Sequence, residues 1–345
     1  MGALRKGLID KVKSGHAQAT SALLRLWVDD DTESGMDLRL FGGKTVRVQL
    51  RHSGYFLSDA EAQRATFNIR GAAGIKPCIR CKNIVAKGYG VVDNTGFFQE
   101  INCAQYHQLS IASDTEIFAA IDHLATITSK KKLEQLEKSS GINFRPHGFW
   151  NDPAQRDRLP PSHVLGDPMH IFWSNGTVSS EVNLFMMAFQ KQFGTIGLLT
   201  DALIGIGFES AGKSPKTTHV KKLLNHKLFD GPVYKGSARD CGSVIWLIWF
   251  AIQTLLVGKH VLQKEIASFA ACIDLCRTIR RLVYSTTVTE NDALLFSSQI
   301  DRHQHAFNVA YPDETRPKHH QRHHLVESLR ALKHYMHCEA HAAFL

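Results

Sequence analysis

The spacing of apolar positions changes period several times along the chain. Over residues 3–28 it is helical: Leu4, Leu8, Ile9 and Val12 share a face, and SALLRLW follows. From Met36 the pattern alternates, breaks at Gly42-Gly43 and alternates again, which predicts a hairpin in MDLRLFGGKTVRVQL. YFLSDAEAQRATFN passes from strand to helix at Ser58 or Asp59, either of which can cap the helix, with Glu61 in its first turn. GAAGIKPCIRCKNIV is a loop punctuated by Gly and Pro. From about residue 112 to 310 the spacing is mostly helical. Ser113 or Asp114 with Glu116 forms a capping box, KKKLEQLEKSSG ends at Gly141, and a Pro-rich joint runs to DPMH. Helices resume at SEVNLFMMAFQKQF, CGSVIWLIWFAIQTLLV and EIASFAACIDLCRTIRRLVYS. A loop, AYPDETRPKHHQRHH, then leads to a final helix from Leu325.

At 345 residues and 43% hydrophobic content the chain can bury a sizeable core, as two domains or as one with a large insertion. The longest apolar run, residues 244–257, is too short to span a bilayer and is predicted to be a buried helix. MGALRKGLIDKVKSG has no apolar h-region and MGALRK lacks the Ser or Thr of a myristoylation signal, so the chain is expected to be neither secreted nor membrane-borne. A nuclear or cytoplasmic location with reduced thiols follows, and there Cys-x-x-Cys more often means metal than disulfide.

Charge adds a partner class. Lys and Arg number 41 against 32 Asp and Glu, a net +9, and 19 His can add to it near phosphates. DNA or RNA is a reasonable partner; a solvated basic face is the plainer alternative.

The seven cysteines lie at 78, 81, 103, 241, 272, 276 and 338. Cys78 and Cys81 can supply half of a tetrahedral zinc site. The comparable second half is in KHHQRHH, where His320 and His324 are four apart, as are His319 and His323. On a helix such a pair shares a face. Zinc on Cys78, Cys81, His320 and His324 would join segments about 240 residues apart, and His319 could stand in for His320. A redox pair or ordinary thiols, and a basic surface strip, are the alternatives. Cys272 and Cys276 fall on an apolar face and read as buried thiols, and Cys103 with His107 is a weaker ligand pair. Among carboxylates that could hold catalytic metals, Asp59 stands at a strand-to-helix junction, Glu339 lies on the last helix, and Asp167 precedes a turn with His170 three residues on. An Asp at a helix start is usually a cap.

These strings, in this order, resemble the catalytic part of the CACTA-like and Plavaka-like DDE transposases. LSDAEAQRATFNIRGAAGIKPCIRC is similar to that family's second catalytic Asp, helix and Cys-x-x-Cys hook, and GDPMHIFWSNG to its Asp-x-x-His signature. RPKHHQRHHL is similar to its Lys-Pro-x-His-His motif and MHCEAHAAF to its terminal Glu stretch, although here the His follows Glu339 by two. The resemblance covers about residues 45 to 345. It implies an α/β (α+β) RNase H-like fragment with a large all-α insertion, predominantly helical overall. The implied division is 1–110 (partial core with the Cys-x-x-Cys loop), 111–310 (helical insertion) and 311–345 (zinc-ligand loop and catalytic-Glu helix). It makes Asp59 and Glu339 metal-binding carboxylates and Asp167 and His170 the signature pair near the site. It also makes Cys78, Cys81, His320 and His324 structural zinc ligands, as in the similar arrangement of the recombinase that joins antibody gene segments. The implied cofactors are structural Zn2+ and catalytic Mg2+ or Mn2+.

The departure from the family is the first catalytic Asp. Helices open the chain and only one hairpin fits before Asp59; Asp29, Asp30, Asp31 and Asp37 are available, but the run of three reads as a solvated turn. Catalysis should collapse on two carboxylates of three. A decayed copy, a truncated start or a second polypeptide supplying the strands would each account for this. Two functions are therefore expected: a DDE-type enzyme or its inactive descendant acting on DNA ends, with Lys221, Lys222, Arg277, Arg280 and Arg281 holding phosphates, or a non-catalytic zinc-stapled nucleic-acid-binding protein. A zinc protein with no nucleic-acid role is a third reading. The oligomeric state, including a homo-oligomer, stays open.

Overall fold

The structure, a computed structural model, describes residues 15, 18–20, 22, 36–39, 43–48, 55–71, 75–85, 106–205, 217–285 and 287–335. Most of the opening helical stretch, Asp29 to Asp31, Cys103 and Glu339 lie outside the described residues. The described chain is predominantly helical with little strand, as the apolar spacing predicts. It divides into two compact units, Met1–Leu165 and Gly166–Leu345.

In the first unit the alternating stretch forms a hairpin. Strand β1 (Met36–Arg39) pairs antiparallel with β2 (Thr45–Val48), and Asp37 sits opposite Arg47, 3.8 Å from its guanidinium. Gly43, at φ 81°, supplies the left-handed residue of the connection. Strand β3 (Phe56–Ser58) pairs with β4 (Val164–Gly166), so the described strands form two separate two-stranded sheets. Helix α1 (Ala60–Phe67) starts at Asp59, whose carboxylate accepts from Ala62 N at 2.7 Å, and ends at Asn68 in the left-handed region. Helix α2 (Asp114–Ala125) has the full capping box of Ser113 and Glu116. Helix α3 (Lys130–Ser140) stops at Gly141, φ 78°, and a short helix α4 (Pro153–Arg158) forms within the Pro-rich joint. The core of this unit is built on Phe67, which stacks on Trp150 at 4.6 Å and meets Phe149 and Phe56 edge-on. Ile117, Ile121, Leu124 and Ile142 close around it.

The second unit is all helical: α5 (Pro168–Phe172), α6 (Thr177–Phe193), α7 (Gly197–Gly205), α8 (Thr217–Leu223), α9 (Ala238–Leu255), α10 (Gln263–Val283), α11 (Glu290–Ala310) and α12 (Pro317–Tyr335). α10 packs on α6, α9 and α11, while α12 packs on α11 and α5. The apolar run in α9 is a core helix, burying Val244, Ile245, Leu247, Ile248, Ala251 and Ile252. Among the described residues no helix is long and apolar enough to cross a membrane. Cys272 and Cys276 are buried thiols of the α10 face. Gly176 lets the start of α6 fold back on α5: a Cβ there would lie 2.4 Å from Ile171 O.

One boundary differs from the expectation. KHHQRHH is not a loop before the last helix but its first two turns. Pro317 sets the helical φ at the first position, and no Gly or second Pro interrupts the run to Tyr335.

Phe185 has no exposed surface and packs on Phe269 with ring centroids 4.9 Å apart. Phe185→Ala should lower stability by about 3–5 kcal/mol, the cost of a large buried cavity, measured by urea unfolding followed through Trp fluorescence.

Candidate metal centre

The hook is a loop whose backbone is pinned. Cys81 bridges to Ile111, with Lys82 N donating to Ser110 O at 2.7 Å and Ala112 N to Arg80 O at 2.8 Å. Asn83 ties the same segments together, donating to Gln108 O and accepting from Ser110 N. Cys81 is fully buried and Cys78 half-buried beside Ile84 and Leu109. Burial holds the pKa of Lys76 below its ordinary value, and the neighbouring Cys78 and Cys81 act in the opposite sense.

The imidazoles come from α12. His320 and His324 are one turn apart, and their Nε2 atoms stand 3.0 Å from each other. The rings meet edge to face with centroids 4.8 Å apart. Glu327, one turn on, lies 3.8 Å from His324 Nδ1, on the side of the ring away from His320. His319 is turned elsewhere: it accepts from Arg316 N at 3.2 Å and packs on Phe307 with ring centroids 4.3 Å apart. The choice left open between His319 and His320 therefore falls to His320. His323 faces Asp301 at 3.6 Å.

One ligand atom each of Cys78, Cys81, His320 and His324 lies within 4.8 Å of the other three. Such a group can hold a metal ion such as zinc. Two nitrogens bound to tetrahedral zinc at ~2.0–2.1 Å would stand about 3.3 Å apart, close to the 3.0 Å between the two Nε2 atoms. Two thiolates and two imidazoles are also the donor set that zinc prefers over Mg2+ or Ca2+. No protein-family model, curated protein or solved structure matches the chain.

Two of the carboxylates read as catalytic, Asp59 and Asp167, have structural work in the fold. Asp59 caps α1. Asp167 caps α5, accepting from Met169 N at 2.9 Å, and its second oxygen meets His170 Nδ1 in a short hydrogen bond. Lys318 Nζ donates to His170 O and Ser174 O, both at 2.8 Å, holding the end of α5 to the start of α12. All five basic residues expected to meet phosphates, Lys221, Lys222, Arg277, Arg280 and Arg281, are exposed. Arg277 pairs with Asp274 at 3.1 Å and Arg281 with Asp292 at 2.7 Å.

A second polar cluster has no counterpart in the sequence reading. Glu181, Ser268, His303, Gln304 and Arg322 are fully buried and hydrogen-bonded to one another. A signal existed: Glu181 falls on the apolar stripe of Val178, Val182, Phe185 and Phe189, where a lone acid needs a partner. Burial pushes the Glu181 carboxyl up to about 8, against the opposing pull of the Ser268 hydrogen bond and the Arg322 charge. Burial, with the Arg322 charge, drives His303 well below its ordinary range and keeps it neutral.

These shifts set opposite pH trends. Between its ordinary pKa and about 8, folded Glu181 holds a proton that the unfolded chain has lost, so stability falls as pH rises through that window. His303 opposes this only below its ordinary 6.5, where the unfolded chain gains a proton. Subtracting the Glu181→Gln profile from wild type should leave a loss of about 2 kcal/mol between about pH 6.5 and 8, read from urea midpoints. A flat difference curve would exclude the raised carboxyl.

Proposed function

We propose that this chain is a zinc-bearing DNA-binding protein of DDE-transposase descent, with Cys78, Cys81, His320 and His324 sharing one structural ion. The convergence of those four ligand atoms within 4.8 Å carries the reading. The order of its motifs, so similar to that of the CACTA-like and Plavaka-like enzymes, supplies the ancestry. Under this reading the RNase H-like remnant is residues 1–110, with β3 and α1, the helices of residues 111–310 are the insertion, and α12 belongs to the segment that returns to the core. Zinc binding would supply folding free energy by fixing segments distant in sequence. The net +9 and the exposed Lys221, Lys222 and Arg280 support a polyanionic partner.

A catalytic second reading is favoured by one observation: Asp59 lies directly after strand β3 and opens a helix. In that reading Asp59 and Glu339 would hold Mg2+ or Mn2+ for in-line attack on a phosphodiester by water or a 3′-hydroxyl. Metal-dependent nicking of supercoiled DNA, abolished by Asp59→Asn, would select it. DNA binding with no nicking would leave the zinc-bearing binding protein.

Two measurements test the first reading. Purified protein should carry a stoichiometric zinc, and Cys81→Ser or His320→Ala should release most of it. The cobalt form should show a thiolate charge-transfer band that each substitution weakens. A protein that takes up no zinc or cobalt would sink the site. DNA affinity should fall steeply with salt, and Lys221→Glu with Lys222→Glu should lower the log–log slope by about 1 per lost phosphate contact. Salt-insensitive or absent binding would remove DNA as the partner.

A further inference from the structure

Arg322 lies two residues from each imidazole of the metal group. At about 100° per residue it projects from the opposite side of α12, roughly 200° from His320 and from His324. It has no exposed surface and is the largest fully buried side chain among the described residues. A guanidinium in that position is costly unless its fork is met by acceptors.

Those acceptors come from α11. Arg322 Nη1 donates to His303 Nδ1 at 2.5 Å and Nη2 to Gln304 Oε1 at 2.7 Å. Because Nδ1 accepts, the proton of neutral His303 sits on Nε2 and is donated to Glu181 Oε2 on α6 at 3.1 Å. Ser268 Oγ on α10 donates to the same carboxyl oxygen at 2.8 Å. Gln304 Nε2 passes the chain on to Asn308 Oδ1 at 2.8 Å, which also accepts from Thr315 Oγ1. Four helices thus meet in one directional relay that ends on the ligand helix. Arg322 is held by acceptors on two of its nitrogens, so α12 cannot rotate about its axis without breaking both bonds.

We propose that this relay, from Glu181 through His303 to Arg322 with Gln304 beside it, positions the metal ligands by fixing the rotation of α12, so that His320 and His324 present Nε2 at a set spacing. The inference rests on the zinc reading and deepens it. It makes His303, Gln304 and Arg322 positioning residues that govern metal affinity without touching the metal. A lysine at 322 would keep the charge and lose the fork, so it cannot hold the rotation.

The test uses the full chain loaded with cobalt or zinc, with affinity read by competition against a chromophoric chelator. His303→Gln keeps an acceptor for Arg322 and a donor for Glu181; His303→Leu removes both. Arg322→Lys and Gln304→Met each weaken the fork alone and serve if the leucine variant does not fold. Phe185→Leu is a control that costs stability in the same unit without removing a hydrogen bond of the relay. The expected result is a loss of metal affinity of about 10–100-fold for His303→Leu or Arg322→Lys, with a smaller loss for Gln304→Met. His303→Gln and Phe185→Leu should stay near wild type, and the cobalt band should shift in the weakened variants. Unchanged affinity in folded His303→Leu or Arg322→Lys, or an equal loss in Phe185→Leu, would overturn the proposal. Wild-type protein that binds no cobalt would instead overturn the zinc reading.

Discussion

A guanidinium taken out of water is costly unless acceptors meet its fork, and in this protein that constraint falls on Arg322. Its two fork nitrogens reach His303 and Gln304 on α11, and through His303 they reach Glu181 on α6. Removing any partner would leave a buried charge or a buried acceptor exposed to nothing, which costs far more than the bond itself contributes. The apolar packing of α6, α9, α10 and α11 can tolerate small shifts. The relay cannot, because hydrogen bonds are directional where dispersion contacts are not.

That asymmetry gives α12 two faces with different physics. One face is fixed in the interior by Arg322, with His319 packed on Phe307 beside it. The other carries His320 and His324, whose Nε2 atoms face each other. Lys318 ties the first turn of the same helix to the carbonyls at the end of α5, the short helix capped by Asp167. Within a single stretch from Lys318 to His324, the sequence alternates residues that hold the helix and residues that offer ligands. The hook around Cys78 and Cys81 is prepared in a different way, by backbone bonds to residues 110–112 and by the side chain of Asn83.

Asp59 and Asp167 show how one residue type serves two readings. Each follows a strand and opens a helix, the place where an active-site carboxylate would be expected, and each also satisfies an orphan backbone N–H of its helix. Capping requires no metal, and it does not exclude one, since each cap bond uses a single carboxyl oxygen. In Asp167 the other oxygen is taken by His170.

Much of the local structure could be read from the chain itself. The hairpin at Gly43, the caps at Asp59 and Ser113, the stop at Gly141 and the core helix of α9 all follow from short-range propensity and period, which act within a few residues. The spacing of Cys78, Cys81, His320 and His324 marked them as candidate zinc ligands. What spacing could not supply was which of two adjacent histidines faces the thiols, because that depends on the rotation of α12, and the rotation depends on His303 and Gln304 from the preceding helix and on Glu181 from one far away in sequence. Glu181 alone carries a signal, as an acid in an apolar stripe; His303 and Gln304 are unremarked among polar neighbours. Only when the helices pack does the loss of water bring His303 and Gln304 to Arg322 and Glu181 to His303, so a lone acid in a stripe shows that a partner is needed but not which one until they share one interior.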